Sequence, residues 1–266
     1  MRKELPVGAK FAIPLLFLII GFNIPMFLRL FMDTENTSFL STTVKIVFLS
    51  LVMFVLIPRV IGIPSKENPE HNLSRIGLTK RQVSWTSIVL GIGLGVISLS
   101  FMLFGSAVTG GYAFDIGRLE LSHVYFSLVP GVFEEVVFRG YLMIVAIAFF
   151  KSIKKAAIFQ IVIFTLSHMK DFSGWGIVDM ITVGIIAIAF TYVVFKTGHL
   201  YTAIVFHFIH DAFLFVVQKA NGLESFIDHL AFYAFVWLGM VVIVVVTRYA
   251  VGKWDIGSPM LYVQDE

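Results

Sequence analysis

The chain has 266 residues, 58% of them hydrophobic and 14% charged, with a formal charge of +3, a pI near 9.0 and a mean hydropathy of +0.90. A soluble domain is nearer half apolar and a quarter charged, so this composition belongs to a membrane protein. The lack of cysteine excludes disulfides, thiolate metal sites and a cysteine nucleophile. The basic balance fits cytoplasmic loops better than nucleic acid, since no basic helix or aromatic-basic surface stands out.

A membrane-crossing helix needs about 20 mostly apolar residues. Eight segments qualify in chain order: Phe11–Phe31, Thr43–Ile63, Trp85–Gly105, Val124–Phe150, Ala156–His168, Ile177–Phe195, Tyr201–Val217 and Phe226–Val246. Met1–Ile20 starts like a signal peptide, but the apolar run continues to Phe31 without a small-x-small cleavage site, so a retained first helix is expected. The fourth segment is long, and Pro130 is expected to kink it or start it afresh. With the N-terminus inside, the inner connections carry 14 of the lysines and arginines and the outer ones 5, with Arg139 inside a helix. That bias predicts an all-α, polytopic transmembrane helical bundle of about eight helices, both termini cytoplasmic, the whole chain 1–266 forming one integral membrane domain.

Among the connections, Pro64–Val83 is long and polar. Its end, Leu73–Gln82, reads either as a segment lying on the inner leaflet or as a solvated loop. The outer loop Ser106–Glu120, with Gly110 and Gly111, reads as flexible. No internal repeat or soluble domain is evident.

What interrupts the apolar spans is more informative. The fourth holds Glu134, Glu135 and Arg139 in GVFEEVVFRGY, the fifth ends at His168 in FTLSH, and the seventh holds His207, His210 and Asp211 in HFIHD. An acidic or basic group at a helix centre costs roughly 2.5–3.5 kcal/mol on insertion scales, so such groups must face inward and satisfy one another. Glu135 and Arg139 are one turn apart and can pair; His207 and Asp211 share that spacing, with His210 beside them. A carboxylate one turn from an imidazole can fix its tautomer. At 1.5 Å per residue, Glu134 lies roughly 24 Å from Phe150, His168 roughly 20 Å from Lys155, and His207 and Asp211 roughly 12 and 18 Å from His199. Groups from three helices thus fall in one slab near the membrane middle.

His210 reads as a satisfied bundle histidine. His71, His123, His199 and His229 lie in or near loops and need no special role, and Asp179 suits the start of the sixth span. Two carboxylates and two histidines around one cavity suit water activation, with a glutamate as base and histidines orienting water or supporting an oxyanion. Glutamate and two histidines also make a ligand set for a divalent metal such as zinc, so no cofactor is certain. No HExxH helix, GxSxG elbow or intramembrane aspartate pair is present. Ser167 adjoins His168, but neighbouring helical residues diverge, which disfavours a Ser–His dyad.

The run Glu134-Glu135-Val136-Val137-Phe138-Arg139-Gly140, then Phe164-x-x-x-His168, then His207-x-x-x-Asp211, resembles the CPBP family of intramembrane proteases. These are the CAAX prenyl endopeptidases and bacteriocin-processing or immunity proteins, also called the Abi family. The likeness covers residues 121–217, expected to form the catalytic core. It implies that Glu134 and His168 activate the attacking water, that Arg139 positions the glutamate pair with Glu135 as auxiliary acid, and that His207 and residue 211 bind the oxyanion. Many members have Asn at the last position. Asp211, when ionised, has no hydrogen to donate, so it stays protonated, orients His207 or binds a metal.

The expected partners are a membrane-associated peptide or protein substrate and the lipid bilayer, with no nucleic acid, and a membrane sensor or regulatory protein where the fold serves without catalysis. A proton-coupled transporter is a weaker alternative, since the polar residues lie only between Glu134 and Asp211 and show no paired broken helices. The Phe-, Ile- and Val-rich, cysteine-free composition leads us to expect a bacterial cell membrane.

Overall fold

A computed structural model describes residues 84–110, 112–168, 173–219 and 226–254, with Gly77, Leu78 and scattered positions between 6 and 51. Seven α-helices occupy these residues: α1 (Trp85–Thr109), α2 (Leu121–Glu134), α3 (Met143–Phe150), α4 (Ile153–Ser167), α5 (Gly174–Thr197), α6 (Tyr201–Leu214) and α7 (Phe226–Trp254). They coincide with the third to eighth expected spans. The first two spans fall largely outside the described residues. Trp85–Thr109, Gly176–Thr197 and Phe226–Lys253 are long and apolar enough to cross a membrane, with mean hydropathies of 2.3, 2.3 and 2.5.

The distribution of polarity is that of a protein solvated by lipid. Val89, Ile92, Val96 and Phe104 of α1 and Leu238, Val241 and Val245 of α7 are exposed, while Glu135, Arg139, Gln160, His207 and His210 are buried. A water-solvated domain would pay for both choices; hydrocarbon outside and paired polar groups inside removes both costs.

Helix α1 is the central strut. Its small residues Ser87, Gly91, Gly95 and Ser98 face α6. A Cβ on Gly95 would sit 2.6 Å from Ile209 Cγ2 and one on Gly91 would sit 2.8 Å from Thr202 O. Such stripes let helix backbones approach closely in a membrane, where packing rather than water exclusion drives association. Ser87 Oγ bonds His199 Nε2 at 2.7 Å and Ser98 Oγ bonds His210 Nδ1 at 2.8 Å. Both members of the two pairs advance by 11 residues, so α1 and α6 run parallel, tied three turns apart. On its other side α1 meets α7, with Gly105 against Phe235 and Phe101 against Gly239, an antiparallel pairing.

Helices α2 and α3 are joined by a π-helical stretch, Glu135–Leu142, into one rod from Leu121 to Phe150. Pro130 lies inside α2 rather than starting a new helix. Its ring removes the N–H that would bond the Phe126 carbonyl, one intrahelical bond lost in the third turn of a helix started by a capping box between Glu120 and His123. The rod ends at Lys151, which turns the chain with φ 50°.

Two features depart from the loop expectations. Tyr112–Phe114 forms a strand (β1) paired antiparallel with Val217–Lys219 (β2), in the register Tyr112↔Lys219, Ala113↔Gln218, Phe114↔Val217. The segment expected to be flexible therefore clasps the end of α6, and α6 stops at Leu214 because Val217 enters the ribbon. Tyr112 anchors it, stacking on Phe232 at 3.9 Å and bonding His229 Nδ1 at 2.7 Å, while His229 Nε2 lies 3.4 Å from Asp179. His229 and Asp179 thus tie α7, α5 and the ribbon together, a role not read from His229, expected in or near a loop, or from Asp179, expected only to suit the start of the sixth span. Gly77 is buried on the α5–α6 turn, its carbonyl accepting from Leu200 N–H at 3.1 Å, so at Gly77 and Leu78 the connection is docked on protein.

Candidate active site

The π-helical stretch begins at Glu135. An extra residue per turn there rotates the following side chains relative to α2, and such insertions recur at functional sites. Gly131, one turn earlier, lets α2 approach α6: a Cβ there would lie 3.2 Å from Phe208 N. The approach brings the acidic pair of the rod to the histidines of α6.

Glu135 is fully buried. Its Oε1 accepts from Arg139 Nη1 at 3.1 Å, the one-turn pairing read from the spacing. The same oxygen lies 2.8 Å from His207 Nδ1. A carboxylate can only accept, so His207 carries hydrogen on Nδ1 and presents Nε2 to the other side. The aromatic faces of Phe164 and Phe190, 4.1 and 5.5 Å from the Arg139 guanidinium carbon, further stabilise the buried cation.

Glu134 points elsewhere. Its Oε2 lies 3.5 Å from His168 Nε2 and 4.0 Å from His207 Nε2. His168 caps α4, and its Nδ1 lies 2.8 Å from the Phe164 carbonyl. A carbonyl oxygen accepts, so the proton sits on Nδ1 and Nε2 keeps a lone pair facing Glu134. Asp211 Oδ2 is 3.4 Å from His207 Nε2. Asp211 therefore meets the cavity-side nitrogen, while the tautomer expected to be set by Asp211 is set across helices by Glu135.

These groups enclose one cavity of about 270 Å³, lined by Glu134, His168, His207, His210 and Asp211 together with apolar Phe126, Val183, Ile186 and Leu214. The volume holds several waters or a peptide segment with apolar side chains. Arg139 and Glu135 lie behind it. Ser167 Oγ comes within 3.2 Å of His168 Nδ1 because His168 leaves the helix, but its hydroxyl donates to Phe164 O at 2.7 Å. That commitment withholds it from a nucleophilic role.

Among the described residues, no three His, Asp or Glu side chains come together in a metal-holding arrangement. His207 holds Glu135 through Nδ1 and keeps Nε2 for the cavity, 4.0 Å from Glu134 Oε2 and 3.4 Å from Asp211 Oδ2, so these side chains with His168 are the ones that would hold a divalent ion.

Ser98 was not legible as part of this site. It holds His210 from α1, outside the three motifs, and the signal that could have found it is the matched 11-residue spacing of Ser87/Ser98 and His199/His210.

Residues 118–213 match the family model described as type II CAAX prenyl endopeptidase Rce1-like. The match agrees with the CPBP resemblance carried by the three motifs, covers under half the chain, and encloses Glu134, Glu135, Arg139, His168, His207 and Asp211. Neither a curated protein nor a solved structure matches the chain.

Proposed function

We propose, from the premise that residues 118–213 form an Rce1-like domain, that this protein is an intramembrane endopeptidase hydrolysing a peptide bond of a membrane-associated substrate with a water activated by Glu134 and His168. The observation that carries this reading is the 3.5 Å separation of Glu134 Oε2 and His168 Nε2, two acceptors facing one cavity. A water between them donates both hydrogens and turns a lone pair outward, which is the orientation a nucleophile needs.

The water oxygen bonds to the carbonyl carbon of the substrate, and one water proton passes to Glu134. The carbonyl π pair moves onto oxygen, giving an oxyanion. On collapse the C–N bond breaks, and the proton held by Glu134 passes to the departing nitrogen. The products are a carboxylic acid and an amine, with Glu134 ionised again. His207 satisfies Glu135 and Asp211 together when its ring carries both protons, and the imidazolium then supports the oxyanion from the α6 side. Arg139, through Glu135, holds His207 in place.

The apolar lining favours a substrate that enters from the bilayer with an apolar chain, and a prenylated C-terminal tail fits this description. A peptide precursor or a regulatory membrane protein fits the same cavity without the prenyl group. The test uses the full chain in liposomes with two internally quenched peptides, one bearing an S-farnesyl cysteine followed by three residues and one lacking the farnesyl group. Cleavage of either, lost in Glu134→Gln, supports the reading. Equal cleavage by Glu134→Gln, or none by the wild type, counts against it and favours a binding or immunity role for the same fold.

A further inference from the structure

The cavity contains one imidazole that the proposed chemistry leaves idle. His210 is buried, lies one turn beyond His207 on the same face of α6, and lines the cavity beside Asp211. Its Nδ1 is 2.8 Å from Ser98 Oγ. Ser98 Oγ either donates to this nitrogen or, with its own hydrogen on the thioether sulfur of Met102 at 3.9 Å, accepts from it. A thioether is a weak acceptor and the distance is long, which favours the arrangement with the hydroxyl hydrogen on Nδ1. A neutral ring that accepts at Nδ1 bears its own proton on Nε2, and Nε2 is the nitrogen left to the cavity.

This tautomer matters because of what surrounds it. Glu134, Asp211 and the Nε2 lone pair of His168 all present acceptors to the cavity. An oxyanion developing there needs hydrogens, and an ionised Asp211 has none to give. We propose that His210 Nε2–H is the second oxyanion donor, hydrogen-bonding to the carbonyl oxygen of the scissile bond as it gains charge, and that Ser98 is the positioning residue that sets its tautomer. No proton is transferred by His210: it donates a hydrogen bond while the water proton goes to Glu134. The inference rests on the protease reading for its role, while the tautomer rests on the Ser98 hydrogen bond and is measured separately.

Two measurements test it on the full-length protein in nanodiscs. In the first, ¹⁵N-histidine NMR identifies the His210 ring by its loss in His210→Phe. The wild type is expected in the Nε2–H form, and Ser98→Ala is expected to redistribute it; a wild-type ring protonated on Nδ1 overturns the inference. In the second, the two quenched peptides are cleaved under saturating conditions. His210→Phe, which keeps the ring packing, is expected to lower kcat about 100-fold with KM within about threefold, the loss typical of one oxyanion donor. His210→Gln, whose amide N–H donates, is expected to recover about tenfold of that loss. Undiminished kcat in His210→Phe overturns the inference while leaving the protease reading intact. A wild type that cleaves neither peptide, matching Glu134→Gln, counts against the protease reading, and the oxyanion role falls with it.

Discussion

Glu135 Oε1 stands 2.8 Å from His207 Nδ1 and 3.1 Å from Arg139 Nη1, so a single carboxylate oxygen joins the acidic helix to the histidine helix and neutralises a buried guanidinium. The two adjacent glutamates consequently do different things. Glu135 holds the site together from behind, and Glu134 faces the cavity. Adjacent positions on a helix diverge by about 100°, which is how one dipeptide serves both directions.

The division of labour separates stability from activity. Glu135→Ala leaves Arg139 buried with its nearest anion gone, and breaking a buried pair typically costs about 3–5 kcal/mol. Thermal unfolding in detergent should show a large fall in Tm for this variant. Glu134→Gln keeps the side-chain volume at a cavity wall and should stay within about 1 kcal/mol of the wild type.

The close α1–α6 contact makes a second prediction. A methyl at position 95 meets Ile209 at 2.6 Å, whereas one at position 93 meets nothing within 4 Å. Gly95→Ala should therefore destabilise by about 1–3 kcal/mol through overpacking. Gly93→Ala should be neutral or stabilising, by up to about 1 kcal/mol from helix propensity. Equal Tm values for the two variants would argue against the parallel α1–α6 seam.

His199, in the turn between α5 and α6, provides a pH dependence. Burial pushes its pKa down from 6.5 to about 4, so between those values the unfolded chain binds more protons than the folded one. Stability then rises with pH: this contribution is complete above about pH 6.5 and is lost as pH falls from 6.5 towards 4. A Tm profile over that window should slope upward with pH in the wild type, with a contribution from His199 on the order of 3 kcal/mol, and should slope less steeply in His199→Gln.

Much of this was readable before any coordinates. The positions of the last six expected spans followed from apolar length, and the meeting of Glu134, His168 and His207 followed from their shared depth, because costly groups in lipid must find each other. The one-turn pair Glu135–Arg139 was also legible, since helical spacing alone decides it. The Glu135–His207 bond was not, because choosing among acceptors on another helix depends on how closely Gly131 lets α2 approach α6. The ribbon was missed for a different reason: three-residue strands carry no alternation to read, and its anchor, Tyr112 on His229, joins residues 117 apart. Ser98 looked like any hydroxyl in an apolar helix until its spacing from Ser87 was matched to that of His210 from His199.

The central claim is that Glu134 and His168 act on one water, and the most direct measurement is kcat for Glu134→Gln, His168→Gln and the double variant in liposomes. Residues that work as a unit are strongly non-additive. Each single variant should lose about 10²–10⁴-fold, and the double variant should fall no more than about tenfold below the worse single. A near-wild-type rate in Glu134→Gln, or a double variant whose loss is the product of the two single losses, would contradict the account.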